Sequence, residues 1–310
     1  MKKSIILMAM ISSLVLEKPT VSTTIMPTKF FIEQIAGDEL EINVMVPSSA
    51  DPHTFEPKPS QMKMLEKSDL YFEVGVEFDE IWLKKIAPDF KNVKFIKTQE
   101  NIEKIAMNSH HEHGDHDHEK DHDHEKDHDD HDHEKHAEHK HEHDEHDHGN
   151  LDPHIWLDPI LVKTQSKNIL NALCETYGEK CEKFSANFYA FEKKLDELDE
   201  FAKANLKDLK EAKFIVYHPS WGYFAARYDL EQIAIEIEGK EPKPADLAKL
   251  IEEAKEENAK VIFVAPQFSK KAAITVAAAS GANVEEIDHL SGDWLNEMKK
   301  TIEIISKSLK

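Results

Sequence analysis

Several features are missing from this chain of 310 residues, and each absence removes a class of function. Beyond the N-terminus no stretch approaches 18 apolar residues, so no later spanning helix is expected. No stripe of Lys or Arg rises above helix-surface scatter, which argues against a nucleic-acid partner. Outside residues 110–148 no HExxH or comparable paired motif occurs; within that tract the string HEKDH appears at 118–122 and 124–128, in a run with no apolar face to set it on a packed helix. Cysteine occurs only twice, at Cys174 and Cys181, a number that suits an exported protein with one disulfide. In a continuous helix that spacing rises about 10.5 Å, whereas a disulfide needs its Cα atoms within roughly 7 Å. Gly178 between them is a natural helix stop, so a helix–turn–helix corner stapled by the pair is predicted. Two free buried thiols are the alternative.

The chain opens "MKKSIILMAMISSLVLEKPTV", two lysines before a short apolar run. This reads as a secretory leader over residues 1–16, with an uncleaved anchor as the alternative. No cysteine stands there to take a lipid.

The formal net charge of -22 is concentrated in one place. Residues 110–148 hold seventeen Asp/Glu against four Lys, a sum of -13 that leaves -9 for the rest. The same tract holds sixteen histidines: His110, His111, His113, His116, His118, His122, His124, His128, His131, His133, His136, His139, His141, His143, His146 and His148. Ala137 is its only apolar side chain, so it cannot offset the entropy of ordering and is expected to be a disordered loop. It is expected to offer many loose two- or three-ligand metal sites.

Elsewhere strand and helix signals alternate, the mark of a parallel α/β architecture. Residues 20–100 read strand ("TVSTTIM"), helix ("FFIEQIAG"), strand ("ELEINVMVP"), helix ("SQMKMLEKSD", capped by Ser60), strand ("LYFEVG"), helix ("FDEIWLKKIAP") and strand ("NVKFIKT"). The second half repeats the alternation, from "KFIVYH" to "DWLNEMKKTIEIISKSLK". Between the halves, Phe184, Phe188, Phe191, Leu195, Leu198, Phe201, Leu206 and Leu209 recur mostly at helical steps. One helix over residues 181–210 would span roughly 45 Å and could brace two lobes; two ordinary helices broken near "KANLKD" are the alternative. "EPKPSQM" and "EPKPADL" each lie between a strand and a helix, which favours two related halves.

Only four histidines lie outside the tract: His53, His154, His218 and His289. Each sits where a strand ends or a loop begins, the edge at which α/β sheets bind ligands. Asp-Pro-His occurs at both His53 and His154, and Pro219 follows His218. Three such histidines with a carboxylate, Asp288, make a shell for a borderline divalent metal such as zinc, copper or nickel. The wide spacing means that only tertiary structure could assemble it.

"VPSSADPHTFEPKPSQ", the acidic histidine tract, "LDPHIWLDP" and "YHPSWGYFAARYDL" together resemble the zinc-binding (ZnuA-like) periplasmic solute-binding proteins of metal ABC importers, the cluster with a rigid helical backbone. The likeness runs from about residue 19 to the C-terminus. It implies an α/β fold of two Rossmann-like parallel-sheet lobes: an N-terminal lobe over 17–180 carrying the loop, a linking helix over 181–211, and a C-terminal lobe over 212–310. It also implies that Zn2+ is a transported ligand, held in the cleft by His53, His154 and His218 with Asp288 as the fourth group, and handed without catalysis to an inner-membrane permease by a soluble periplasmic monomer. Relatives often read Asp-Pro-Leu where this chain reads "IDHL", which leaves open whether Asp288 ligates or His289 competes. Manganese-type relatives place a carboxylate where His218 stands, so zinc is the expected cargo, with nickel or manganese next.

Two other classes compete. A zinc hydrolase would need an open coordination position and a carboxylate base, for which Glu56, Glu236 and Glu238 are candidates. A storage protein would hold its metal mainly in the tract.

Overall fold

The computed structural model describes residues 18–107, 151–236, 242–257 and 259–310. The expected leader, the histidine tract at 110–148 and Glu238 lie outside the described residues.

Two four-stranded parallel sheets organise the chain. The first contains β1 (Thr20–Thr23), β2 (Glu41–Val44), β3 (Leu70–Glu73) and β4 (Lys94–Lys97), in the order β2-β1-β3-β4. The second contains β5 (Lys213–Val216), β6 (Glu231–Ala234), β7 (Val261–Val264) and β8 (Asn283–Glu286), in the equivalent order β6-β5-β7-β8. The repeated EPKP string falls at the same place in both, because α2 (Pro59–Leu65) and α7 (Pro244–Glu256) each begin at its second proline. Each helix connects the second strand of its sheet to the third.

The local chemistry explains most boundaries. Helix α1 (Met26–Ala36) starts with Pro27 in its first turn and stops at Gly37, whose φ of 63° suits a residue without Cβ. Ser60 does not cap α2. Pro59 already occupies the first turn, and Lys58 precedes the helix with its backbone N–H donating to Gln61 Oε1 at 2.7 Å. The "FDEIWLKKIAP" segment is helical but irregular, with a π-type turn at Asp79–Leu83, a short α3 (Lys84–Ile86) and a 3-10 turn at Ala87–Asp89. In β1 the small polar side chains tolerate a central, buried place because Ser22 pairs with Ser68 and Thr23 donates to Phe72 O.

Between the sheets run α4 (Pro159–Thr176) and α5 (Cys181–Leu206), and the short α6 (Gly222–Arg227) follows β5. Helix α5 is one continuous element of 26 residues, about 39 Å long, rather than two helices. It ends at Leu206 rather than 211, at the "KANLKD" string where a break was the alternative. The apolar repeat faces inward, with Phe184, Phe188, Phe191, Leu195 and Leu198 all buried. Cys174 and Cys181 form the disulfide at the α4–α5 corner, with a Cα–Cα distance of 4.6 Å across the Gly178–Lys180 turn.

One apolar core runs through both halves: Phe31, Phe72, Trp156, Phe191, Phe214, Phe263 and Trp294 belong to the same buried cluster. Helix α5 packs on α1, α4 and the C-terminal α9 (Trp294–Ser308), so it lies within this core rather than beside it. A smaller cluster of Ile215, Ile233, Ile262, Val264, Leu250 and Val276 covers the second sheet's other face, under α7 and α8 (Lys271–Ser280). Among the described residues no helix is long and apolar enough to cross a membrane.

Candidate metal centre

The carboxyl ends of both sheets deliver histidines to one point. His53 lies in the loop after β2, and His218 follows β5 by two residues. His154 enters on the segment that precedes α4. His154 Nε2 stands 3.2 Å from His53 Nε2 and 3.1 Å from His218 Nε2. These three are the described residues grouped closely enough to hold a metal ion.

The repeated Asp-Pro-His frame has a local purpose. Asp51 Oδ1 accepts from His53 N at 2.9 Å, and Asp152 Oδ1 accepts from His154 N at 2.8 Å. In each case the aspartate closes a turn over the proline and sets the backbone of the histidine two residues on. The His154 segment is then tied to both lobes. Asp152 N bonds to Ile105 O at 2.9 Å, Tyr223 Oη donates to Asp152 O at 2.8 Å, and Trp156 Nε1 donates to His289 O at 2.8 Å. Asp158 caps α4 through Ile160 N and also takes the guanidinium of Arg227, the chain's single arginine, at 2.7 Å.

Each ring also meets a carboxylate at its other nitrogen. His53 Nδ1 contacts Glu77, His154 Nδ1 lies 2.7 Å from Asp152 Oδ1, and His218 Nδ1 lies 2.7 Å from Glu236 Oε1. When the carboxylate accepts from Nδ1–H, the Nε2 lone pair is left facing the centre, the usual outer arrangement of a metal-bound histidine. Glu77 follows β3 and Glu236 follows β6, so the supporting carboxylates use the same sheet edges as the histidines.

Sequence reasoning missed Glu77, and it considered Glu236 only as a hydrolytic base. The Asp-x-His spacing does signal Asp152. Nothing in the sequence pairs His53 with Glu77 rather than with the nearer Asp51, because that pairing depends on strand order.

Burial dominates the electrostatics. It holds His154 and His218 well below the ordinary imidazole value, helped by the neighbouring histidines. It pushes Asp152 and Glu236 up to about 7. Burial also opposes the charged form of His53, but the Glu77 hydrogen bond and charge outweigh it and raise that ring. Glu77 in turn is lowered to about 2, its own burial outweighed by His53.

Asp288 is not brought into the cluster. Its Oδ1 accepts from Gln267 Nε2 and from Leu290 N, both at 3.0 Å. The strand-end turn supplies one of these bonds and the loop after β7 the other, and together they hold that carboxylate away from the histidines. His289 takes the inner position instead, buried, with its ring centre 6.0 Å from that of His154 and 5.9 Å from that of His218.

Two parallel α/β lobes sharing one helical core, with converging polar side chains where their sheet edges meet, define a two-lobed solute-binding protein. The family model described as zinc-uptake complex component A, periplasmic (ZnuA), matches residues 21–308, and the chain belongs to that family. It is 30% identical over 307 residues to the high-affinity zinc uptake system protein ZnuA of Bacillus subtilis (strain 168), covering 94% of this chain and 88% of that protein. The zinc-binding protein AdcA of Streptococcus pyogenes serotype M3 (strain ATCC BAA-595 / MGAS315) is 30% identical over 289 residues, 91% of this chain, but the match spans only 52% of that longer relative. A crystal structure of ZnuA is 33% identical with a TM-score of 0.79, covering 95% of this chain and 100% of that one.

Proposed function

We propose that this protein captures Zn2+ through the Nε2 atoms of His53, His154 and His218 and hands it unchanged to an ABC-type permease in the inner membrane. The observation that carries this reading is the convergence of three Nε2 atoms at 3.1 and 3.2 Å, each ring backed by a carboxylate. Ligands on a tetrahedral zinc with bonds of about 2.0–2.1 Å stand about 3.3 Å apart. Without a cation or a proton between them, such closely set lone pairs repel.

Residues 17–180 and 212–310 act as the two lobes, and α5 is the strut that holds them. The protein works as a soluble periplasmic monomer. Among the described residues, Glu77, Asp152 and Glu236 all engage Nδ1 atoms on the outer side of the rings, a placement that supports holding the ion rather than acting as a base on it. The tract at 110–148 serves as an accessory zinc collector or sensor. Its position supports this: Ala106 and Leu151 form an antiparallel bridge, so the chain leaves and returns beside His154. Its charge of -13 draws cations over a Debye length of about 8–10 Å.

The test is a chelator-competed zinc titration of the chain lacking residues 110–148. One tight equivalent is expected to survive. In the full chain His154→Ala should then weaken that equivalent by at least ~100-fold, and His131→Ala should leave it unchanged. Loss of all tight binding with the tract would make storage the function instead.

A further inference from the structure

His289 differs from the other three histidines in having no hydrogen-bond partner for its ring nitrogens. It is 1% exposed, and neither Nδ1 nor Nε2 has a hydrogen-bond partner among the described residues. Two polar atoms so placed have lost water and gained nothing in the fold, which points to a ligand as the missing partner. The ring lies in the wall of the metal centre. Phe268 stacks on it at 6.0 Å and 11°, and on His218 at 4.8 Å and 26°.

The spacing is close to that of a four-imidazole shell. Four imidazoles on a tetrahedral zinc place their ring centres about 5.2 Å apart. His53, His154 and His218 already stand at 4.8, 5.0 and 5.2 Å from one another. His289 stands further out, with its ring centre 5.9 and 6.0 Å from two of them and its nitrogens outside the group whose ligand atoms lie within 4.8 Å of one another, so its ring must move inward to bind. Asp288, the competing group, is held away. Gln267 Nε2, which donates to Asp288, also donates to Ser48 O at 2.7 Å in the loop that carries His53, so this carboxylate belongs to a tie between the lobes.

We infer that His289 is the fourth zinc ligand and closes an all-imidazole shell, an inference that rests on the three-histidine reading above. The shell is then neutral and all-nitrogen, which suits zinc, copper and nickel and disfavours manganese. Unlike the other three rings, His289 has no carboxylate on either nitrogen, so no hydrogen bond holds the ring back from the ion.

Zinc-edge X-ray absorption on the full chain, washed with chelator to remove loosely held metal, counts the imidazoles directly. Four are expected in the natural protein, three plus an oxygen in His289→Ala, and four in Asp288→Asn. Zinc affinity should fall at least on the order of 10–100-fold in His289→Ala and in the volume-preserving His289→Phe, and stay within a few-fold in Asp288→Asn. Three imidazoles and an oxygen in the natural protein, unchanged in His289→Ala, would overturn the inference whether or not the variants fold well. A His154→Ala protein with intact zinc affinity and spectrum would instead overturn the three-histidine reading itself.

Discussion

Lowering the pH tests the centre's proton inventory, and the structure sets the expected steepness. Zinc binds neutral imidazole, and its charge favours ionised carboxylates nearby. His154 and His218 are held neutral by burial, so they contribute no proton near neutrality. The protons that zinc must displace sit on His53, raised above its ordinary value of 6.5, and on Asp152 and Glu236, each pushed up to about 7. The sign follows from these directions. A raised pKa keeps its proton on the group further up the pH scale, so affinity is full above the raised values and falls below them. Each displaced proton costs a factor of ten per pH unit, about 1.4 kcal/mol. Three protons therefore predict a fall that approaches about a thousandfold per unit at pH well below these raised values. Glu236→Gln removes one of the three, so its slope should be about a hundredfold per unit. It should also bind more weakly at high pH, by roughly 10–100-fold, because His218 loses its orienting carboxylate. The assay is a chelator-competed titration at fixed ionic strength, corrected for the chelator's own protonation. A slope unchanged by Glu236→Gln would refute the assignment of that proton to the carboxylate. A flat profile would refute a histidine shell altogether.

Three further outcomes follow from packing. A Cβ at Gly222 would stand 2.6 Å from Asp152 Oδ2 and 3.2 Å from Gln232 Nε2, so Gly222→Ala should push Asp152 off His154. Zinc affinity should drop roughly 10–100-fold, with about 1–3 kcal/mol lost in urea unfolding; unchanged affinity would deny Asp152 its orienting role. Replacing both Cys174 and Cys181 by Ala opens a loop of about eight residues and should cost about 2.5 kcal/mol. Zinc affinity should not change, because the corner lies away from the sheet edges that carry the histidines. Phe191 on α5 is 1% exposed and packs on Phe30 and Phe31 with ring centres 6.0 Å apart in both cases. Phe191→Ala should cost about 3–5 kcal/mol while both lobes still unfold in one transition, since they share a core; two separate transitions would contradict that.

Much of this molecule was legible before any coordinates. Periodicity identified the alternating elements and the inward stripe of α5, because burial of one face imposes the same spacing wherever a helix meets a core. The interval between Cys174 and Cys181, with Gly178 inside it, implied a corner, because covalent geometry does not permit the bond across a straight helix. The Asp-Pro-His frames marked His53 and His154, since an aspartate two residues before a histidine acts through local hydrogen bonds. Local rules failed where their signals compete. Ser60 looked like a cap, but the preceding proline had already begun the helix.

What the sequence determined by itself is the set of elements, the corner and the histidines held at loop frames. Their meeting was decided only in three dimensions. Strand order in two separate sheets brings residues 53, 154 and 218 to one point, and it sets Glu77 rather than Asp51 against the His53 ring. It also turns Asp288 toward Gln267 and leaves His289 facing inward. Such pairings depend on where a sheet edge ends relative to a distant loop, and hydrogen bonds and coordination bonds act over a few ångströms that no spacing along the chain encodes.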